Sequence, residues 1–402
     1  MTFQVLDTKG ECVGFYKDGE VFYNQFMEGL DRTWSYTSIL RGKDIQYAEI
    51  YANGKSINEC CPESYKEDWE RVNKKLKAFF SSFLESKVSL QENCIFDLIP
   101  ERYLKEYYDV KCKITDHVFE THQKPPEYEF FKRFGELIAD VSSRELKLDL
   151  SWLSEKLWDV QAKRLWDKIQ QGQRSIEYNM FGSVTGRLTA TENSFPILNL
   201  NKDLRNVIKP TNDWFVEIDL NAAELRTAIA LLNKEQIEGD LHEWSAKNIF
   251  KGELNRSEAK QTATSWLYNS QNKLALKYDK QLNEFYNKPA LKAMYWVDGV
   301  VHTPFQRHIP ADDHHAISYL NQSTLIDLLH RQIIKVDDLL KGKKTFIPFL
   351  VHDSFVLDLD EEEKQLLPEI IRTISDTKWG KFPVNIKIGS DYGNMKKVKL
   401  KV

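Results

Sequence analysis

Two apolar strings in this chain each run into a single aspartate: Phe215-Val216-Glu217-Ile218-Asp219-Leu220-Asn221-Ala222-Ala223-Glu224-Leu225-Arg226 and Phe349-Leu350-Val351-His352-Asp353-Ser354-Phe355. Each reads as a β-strand that delivers a carboxylate to its end. Hard divalent cations such as Mg²⁺ take carboxylate oxygens and keep positions open for water and phosphate. Two acidic side chains on rigid strands therefore suit a shared metal pair and phosphoryl chemistry. A plainer reading stands beside this one: Asp219 can cap a helix beginning near Asn221, and Asp353 can be a turn residue between two strands.

At 402 residues the chain can bury more than one core, and its length predicts two or three domains. Its 42% hydrophobic and 29% charged residues are ordinary for a globular protein. There is no apolar run long enough to cross a bilayer, and the start Met1-Thr2-Phe3-Gln4-Val5-Leu6-Asp7 lacks the basic-then-apolar layout of a signal peptide. The expectation is a cytoplasmic protein with no membrane partner. Cys12, Cys60, Cys61, Cys94 and Cys112 are odd in number and have no C-x-x-C spacing, which predicts buried or surface thiols rather than a disulfide framework or a zinc site. A net charge of −4 argues against a surface coated in nucleic acid. It leaves room for a local basic channel, for which Lys163-Arg164, Lys341-Gly342-Lys343-Lys344 and Lys396-Lys397-Val398-Lys399 are candidates; each is equally a solvated face.

The texture changes along the chain. In the first region, to about residue 120, Cys12-Val13-Gly14-Phe15-Tyr16 and Val21-Phe22-Tyr23 flank Lys17-Asp18-Gly19-Glu20, a predicted hairpin turn, and a helix is expected near 64 to 85. Pro125-Pro126 breaks the chain. Phe130, Phe131, Phe134, Leu137, Ile138 and Val141 then recur at helical spacing, and Leu153, Leu157, Val160, Leu165 and Ile169 predict a second amphipathic helix, the two forming a projecting arm. From about residue 176 strands are expected near 214 to 219, 346 to 351 and 354 to 359, and helices near 222 to 232, 256 to 269 and 314 to 340. That pattern predicts an α+β or α/β catalytic body.

Between the aspartates lies Arg256-Ser257-Glu258-Ala259-Lys260-Gln261-Thr262-Ala263-Thr264-Ser265-Trp266-Leu267-Tyr268. On a helix Arg256, Lys260, Thr264 and Tyr268 form one diagonal stripe about 18 Å long, about the length of a nucleoside triphosphate. Two cations at one end can hold phosphates and an aromatic ring at the other can pack on a base or sugar. The alternative is a solvated helix whose cations pair with neighbouring acids.

Together these residues resemble the polymerase portion of family A DNA polymerases, over roughly residues 127 to 402. Thr185-Gly186-Arg187-Leu188 is similar to the family's T-G-R-L element, and Asp219 through Arg226 resembles motif A, D-x-S-x-x-E-L-R. Arg256, Lys260 and Tyr268 fall at the R-x3-K-x7-Y spacing of motif B, and His352-Asp353 fits the H-D of motif C. Asp240-Leu241-His242 with Ala246 and Phe250 is similar to a further D-x-H-x-x-x-A-x-x-x-F stretch, and Gln322-Ser323-Thr324 to a Q-[GS]-T helix.

The resemblance implies an α+β right-hand architecture. Residues 1–124 would be a mixed region, 125–180 a thumb, 181–235 a palm segment with motif A, 236–312 fingers with the motif B helix, and 313–402 the rest of the palm with motif C. It implies template-directed addition of deoxynucleotides to a primer 3′ end, with primer-template DNA and dNTPs as partners. Asp219, Asp353 and the backbone carbonyl of Leu220 would bind two Mg²⁺ ions. Arg256, Lys260 and His242 would hold the triphosphate, with Thr264 on the same stripe and Tyr268 against the nascent base pair. Glu224 would fill the space a ribose 2′-hydroxyl needs. Arg187, Gln322 and His352 would lie along the primer-template minor groove. For His242 a packed helix histidine, and for Gln322 a surface glutamine, remain open.

The chain departs from the family pattern at several places. Ser354 stands where Glu often follows the motif C aspartate, Thr264 where Phe or Tyr is usual, Ser265 and Asn269 where glycines are usual, and His314 and Ser318 where Arg and Asn precede the glutamine. The first 120 residues show neither the D-x-E strand nor the Y-x-x-x-D or H-x-x-x-D of a 3′–5′ exonuclease. Asp7 has Lys9 where Glu is needed, and Asp109 and Asp140 follow Lys105 and Glu136. Proofreading is therefore expected on another polypeptide; the N-terminal region is expected to be a scaffold packing on the palm or a docking surface for that partner, and a separate processivity subunit is a further expected partner. The compact layout suggests a phage-type replication system, with the host cytoplasm as its location. Two other readings are a degenerate, non-catalytic DNA-binding replication subunit and a primer-independent or RNA polymerase.

Overall fold

The computed structural model describes residues 1–9, 12–24, 26–90, 92–269 and 271–398; Lys399 of the last basic cluster lies outside them. The chain divides into two compact units, Met1–Asp140 and Val141–Val402.

In the first unit β1 (Gln4–Lys9), β2 (Cys12–Lys17) and β3 (Glu20–Tyr23) form an antiparallel meander, with Asp18 and Gly19 at positive φ in the expected turn. A parallel bridge from Thr2 to Arg32 continues it to β4 (Arg32–Thr33), which pairs in parallel with β5 (Gln46–Tyr47). The expected helix is α1 (Glu63–Glu85). A helix that the sequence reading passed over, α2 (Glu101–Thr121), buries Tyr103, Leu104, Tyr108, Val110, Ile114 and Val118 in the same core as Trp69 and Val72 of α1.

Two expectations fail here. Cys12 and Cys94 are joined as a disulfide, 82 residues apart in sequence with Cα atoms 5.9 Å apart, while Cys60, Cys61 and Cys112 are free. Cysteine spacing could not reveal this pair, because it forms only where the segment before Ile95 docks on the sheet, its N–H donating to Asp7 Oδ2 at 3.2 Å. The second is the two-helix arm. After α3 (Tyr128–Ser142), the predicted second helix is split into α4 (Leu150–Ser154) and α5 (Val160–Gln170). Asp149 caps the first piece and Asp159 the second, its carboxylate accepting from the N–H groups of Gln161 and Ala162, so a new helix starts where periodicity alone continued the old one.

The second unit is built on an antiparallel sheet. Its order is β7-β8-β6-β9-β10, with β6 (Trp214–Leu220) at the centre, β7 (Phe346–Val351) and β8 (Ser354–Leu359) on one side, and β9 (Val384–Gly389) and β10 (Lys396–Val398) on the other. Near-continuous apolar runs form β6, β7 and β8, as expected for strands covered on both faces. β7 and β8 are joined by a two-residue turn, with His352 at φ 55°, the left-handed conformation such hairpins use.

A second core is shared by α6 (Ala223–Leu231), α7 (Leu241–Asn248), α8 (Arg256–Leu267), α9 (Lys288–Tyr295) and α10 (Ala316–Leu339), which bring together Leu225, Leu241, Ala259, Leu291 and Leu320. α10 is buried on nearly every face and carries Asp327, 1% exposed, which accepts from Arg307 Nε and Nη2 at 2.7 and 2.9 Å. That guanidinium lies over Gly186, where a Cβ would sit 2.7 Å from Arg307 Cζ and where φ is +79°, so only glycine fits. No described helix is long and apolar enough to cross a membrane.

Candidate active site

Strand β6 ends at Leu220 and the chain turns at once into α6. Ala222, the residue before the helix, takes the left-handed conformation, and no side chain caps the helix. Asp219 is therefore free of the capping role, and its side chain enters a cavity of about 290 Å³. Asp353 occupies the β7–β8 turn and lines the same cavity, so the turn reading and the site reading describe one residue. Burial raises the Asp219 pKa to about 6, repulsion from Asp353 adds to this, and a hydrogen bond from Asn385 opposes it.

The same cavity is also lined from α6, α7 and α8. Leu220, Glu224, His242, Arg256, Lys260 and Thr264 all line the cavity, so six further sequence-predicted residues meet in one place with Asp219 and Asp353. Helix α8 holds its stripe through a capping box: Asn255 accepts from Ser257 and Glu258 N–H, and Glu258 accepts from Asn255 N–H at 2.9 Å. Its other face buries Ala259, Ala263, Trp266 and Leu267.

Arg256 donates to Asp240 Oδ2 through Nε at 3.1 Å and Nη2 at 2.6 Å. Asp240 also caps α7 by accepting from the N–H groups of His242 and Glu243. Burial pushes its carboxyl up, but these donors hold it below the usual range. The next turn of the same cradle is His242, 4% exposed, whose Nδ1 has no hydrogen-bond partner among the described residues. Burial lowers its pKa to about 4, against the pull of Asp240, so the ring is neutral near pH 7 and can offer an N–H or a lone pair to the cavity.

Glu224 is the hub of a second group. It accepts from the Tyr268 hydroxyl and from Arg187 Nη2 at 3.3 Å, and Gln322 of α10 hydrogen-bonds the same tyrosine hydroxyl. Burial raises the Glu224 pKa while Tyr268 and Arg187 lower it. Arg187 and Gln322 thus join the edge of the site through Tyr268 and Glu224. His352 does not: it is exposed in its turn, outside the cavity lining.

Two residues of consequence have no site role in the sequence reading. Asn385 of β9 lines the cavity and donates to Asp219 Oδ2 at 3.2 Å. Arg226, with no exposed surface, donates to the carbonyls of Asn221 (3.0 Å), Ile237 (2.8 Å) and Gly239 (2.6 Å), tying the start of α6 to the loop that leads into Asp240 and His242. Burial lowers its pKa to about 10, which leaves it charged at neutral pH. The E-L-R pattern marked Arg226, yet only the fold shows which carbonyls it holds.

Among the described residues no three His, Cys, Asp or Glu side chains converge as a metal-binding group. Two carboxylates are nonetheless a hard-oxygen pair that fits Mg²⁺ completed by backbone, water or phosphate oxygens.

No protein-family model matches the sequence, and no curated protein matches it. Among solved structures the chain is similar to the polymerase domain of Pol1 from M. smegmatis in complex with DNA primer-template and dNTP. The TM-score is 0.57 at 13% identity, over 76% of this chain and 78% of that one. The chain is a mixed helix and strand protein with the fold of a DNA polymerase domain.

Proposed function

We propose that this chain is a template-directed DNA polymerase of the family A type, which extends a primer 3′ end with dNTPs. The observation that carries the proposal is the cavity lined together by Asp219, Asp353, Arg256, Lys260, His242 and Glu224, in a fold similar to that of a polymerase domain. In this reading the sheet of β6 to β10 is the palm, α7 to α9 belong to the fingers, and residues 125–180 include the thumb.

Asp219, Asp353 and the Leu220 carbonyl would hold two Mg²⁺ ions, which when bound supply activation of the primer 3′-hydroxyl and neutralisation of charge on the departing pyrophosphate. The chain's own side chains position the reactants. Lys260 has no ion-pair partner among the described residues and meets the triphosphate directly; Arg256 does so by exchanging Asp240 for phosphate, and the neutral His242 adds a hydrogen bond. Glu224, held by Tyr268 and Arg187, closes the space a 2′-hydroxyl would need and so rejects ribonucleotides. Arg187, Gln322 and His352 take the primer-template, and Thr264 lies along the incoming nucleotide. In this reading residues 1–124 contribute no 3′–5′ exonuclease activity.

Primer extension with Mg²⁺ and four dNTPs tests the proposal. Extension by the wild type and its loss in Asp219→Ala and Asp353→Ala are expected; no extension by the folded wild type would leave a non-catalytic DNA-binding subunit. Metal-dependent trimming of single-stranded DNA that survives Asp353→Ala would overturn the exonuclease statement.

A further inference from the structure

The floor of the cavity contains a side chain outside every motif named above. Asn385 lies directly across from Asp219 in the β6–β9 register, and its amide donates to Asp219 Oδ2 at 3.2 Å. On the other side of Asp219 the register partner is Ser354, whose hydroxyl donates instead to the Val351 carbonyl at 2.9 Å. Among the described residues, Asn385 is therefore the one side chain that hydrogen-bonds the Asp219 carboxylate, and Oδ1 receives none. Two register pairs further along the same strands, Lys387 is tied to Glu217, which holds β9 in register two residues from Asn385.

Resting on the polymerase reading above, we propose that Asn385 is a positioning residue for the metal centre: its amide takes one oxygen of Asp219 and sets the carboxylate plane so that the other oxygen faces a divalent cation. The residue type suits the task. The terminal torsion of an aspartate is broad, so without a partner the carboxylate plane is poorly fixed. An amide donates without charge and leaves the full negative charge of Asp219 and Asp353 for the cation. A lysine at this position would compete with the cation, and a third carboxylate would repel the other two. The absence of an acid at Ser354 makes the orientation of the remaining pair matter more.

Removing the partner that orients a metal-binding side chain typically costs about ten- to a hundredfold in metal affinity. The test uses the full chain with a 3′-dideoxy primer-template and the matching dNTP, and follows Mn²⁺ binding by the electron paramagnetic resonance signal of the free ion. Asn385→Leu is expected to weaken Mn²⁺ binding about tenfold. It should raise the Mg²⁺ concentration for half-maximal extension by a similar factor, with KM for dNTP at saturating metal unchanged. Asn385→Gln, which keeps the amide, is expected to recover part of the loss; where the leucine unfolds the strand, Asn385→Ala removes the donor at smaller size. Mn²⁺ affinity within about twofold of wild type in a folded donor-less variant would overturn the proposal. Asp219→Ala separates this outcome from failure of the polymerase reading. If it abolishes tight Mn²⁺ binding while Asn385→Leu does not, Asn385 alone loses its role; if it leaves binding intact, the metal centre and this inference fall together.

Discussion

At the scale of single residues the site carries its own thermodynamic signature, because two carboxylates line one cavity and Asp219 is largely buried there. Burial, then Asp353, raises Asp219 to about 6 from an ordinary value of 3.8. A group whose folded pKa lies above its unfolded one stabilises the fold fully below about pH 4, and that contribution is lost as pH rises through about 6. Without divalent metal, Asp219→Asn should therefore be more stable than wild type at pH 7.5, by about 2 kcal/mol, and the advantage should vanish near pH 4. Denaturant melts in chelator at the two pH values check this; an asparagine variant less stable than wild type at pH 7.5 contradicts it. Glu224 gives the matching test of selectivity. Its carboxylate is fixed by Tyr268 and Arg187, so Glu224→Ala should raise the ratio of ribonucleotide to deoxynucleotide incorporation by about tenfold or more, read from single-nucleotide extension. An unchanged ratio would remove Glu224 from sugar discrimination.

At the scale of elements, Arg226 joins parts that no single motif spans. Its guanidinium satisfies three backbone carbonyls, at the start of α6 and in the loop before α7, so Arg226→Met would leave buried acceptors unpaired. The expected loss is about 3–5 kcal/mol in the stability of the second unit, measured by chemical denaturation. The linkage runs through Asp240 to Arg256 and His242, so variants that fold should bind dNTP less tightly. Much at this scale was legible in the residues themselves. The apolar strings that became β6, β7 and β8 have the length and bounds of strands, and the stripe from Arg256 to Tyr268 has the period of a helix. What failed were properties set by something other than period. Asp159 breaks a continuous apolar pattern by capping a new helix, and Asn385 becomes part of the site only through its register with Asp219, a partner 166 residues away.

At the scale of the whole molecule, all five cysteines fall in the unit Met1–Asp140, and the candidate site lies wholly in Val141–Val402. The Cys12–Cys94 bond closes a loop of 82 residues within the first unit. Cross-linking a loop of that size restricts the unfolded chain by about 4 kcal/mol at 25 °C on a chain-entropy model. The second unit has no cysteine to reduce, so a reductant acts as a selective lever on one unit. Scanning calorimetry with and without dithiothreitol should show the transition of the first unit falling by about 10 °C, while that of the second unit stays in place. Asp219→Asn, scanned at pH 7.5 in chelator, identifies the second transition by moving that one alone. A reductant that shifts both transitions equally would show that the units unfold as one cooperative body. A reductant that shifts neither would show that the Cys12–Cys94 bond adds nothing to the stability of its unit.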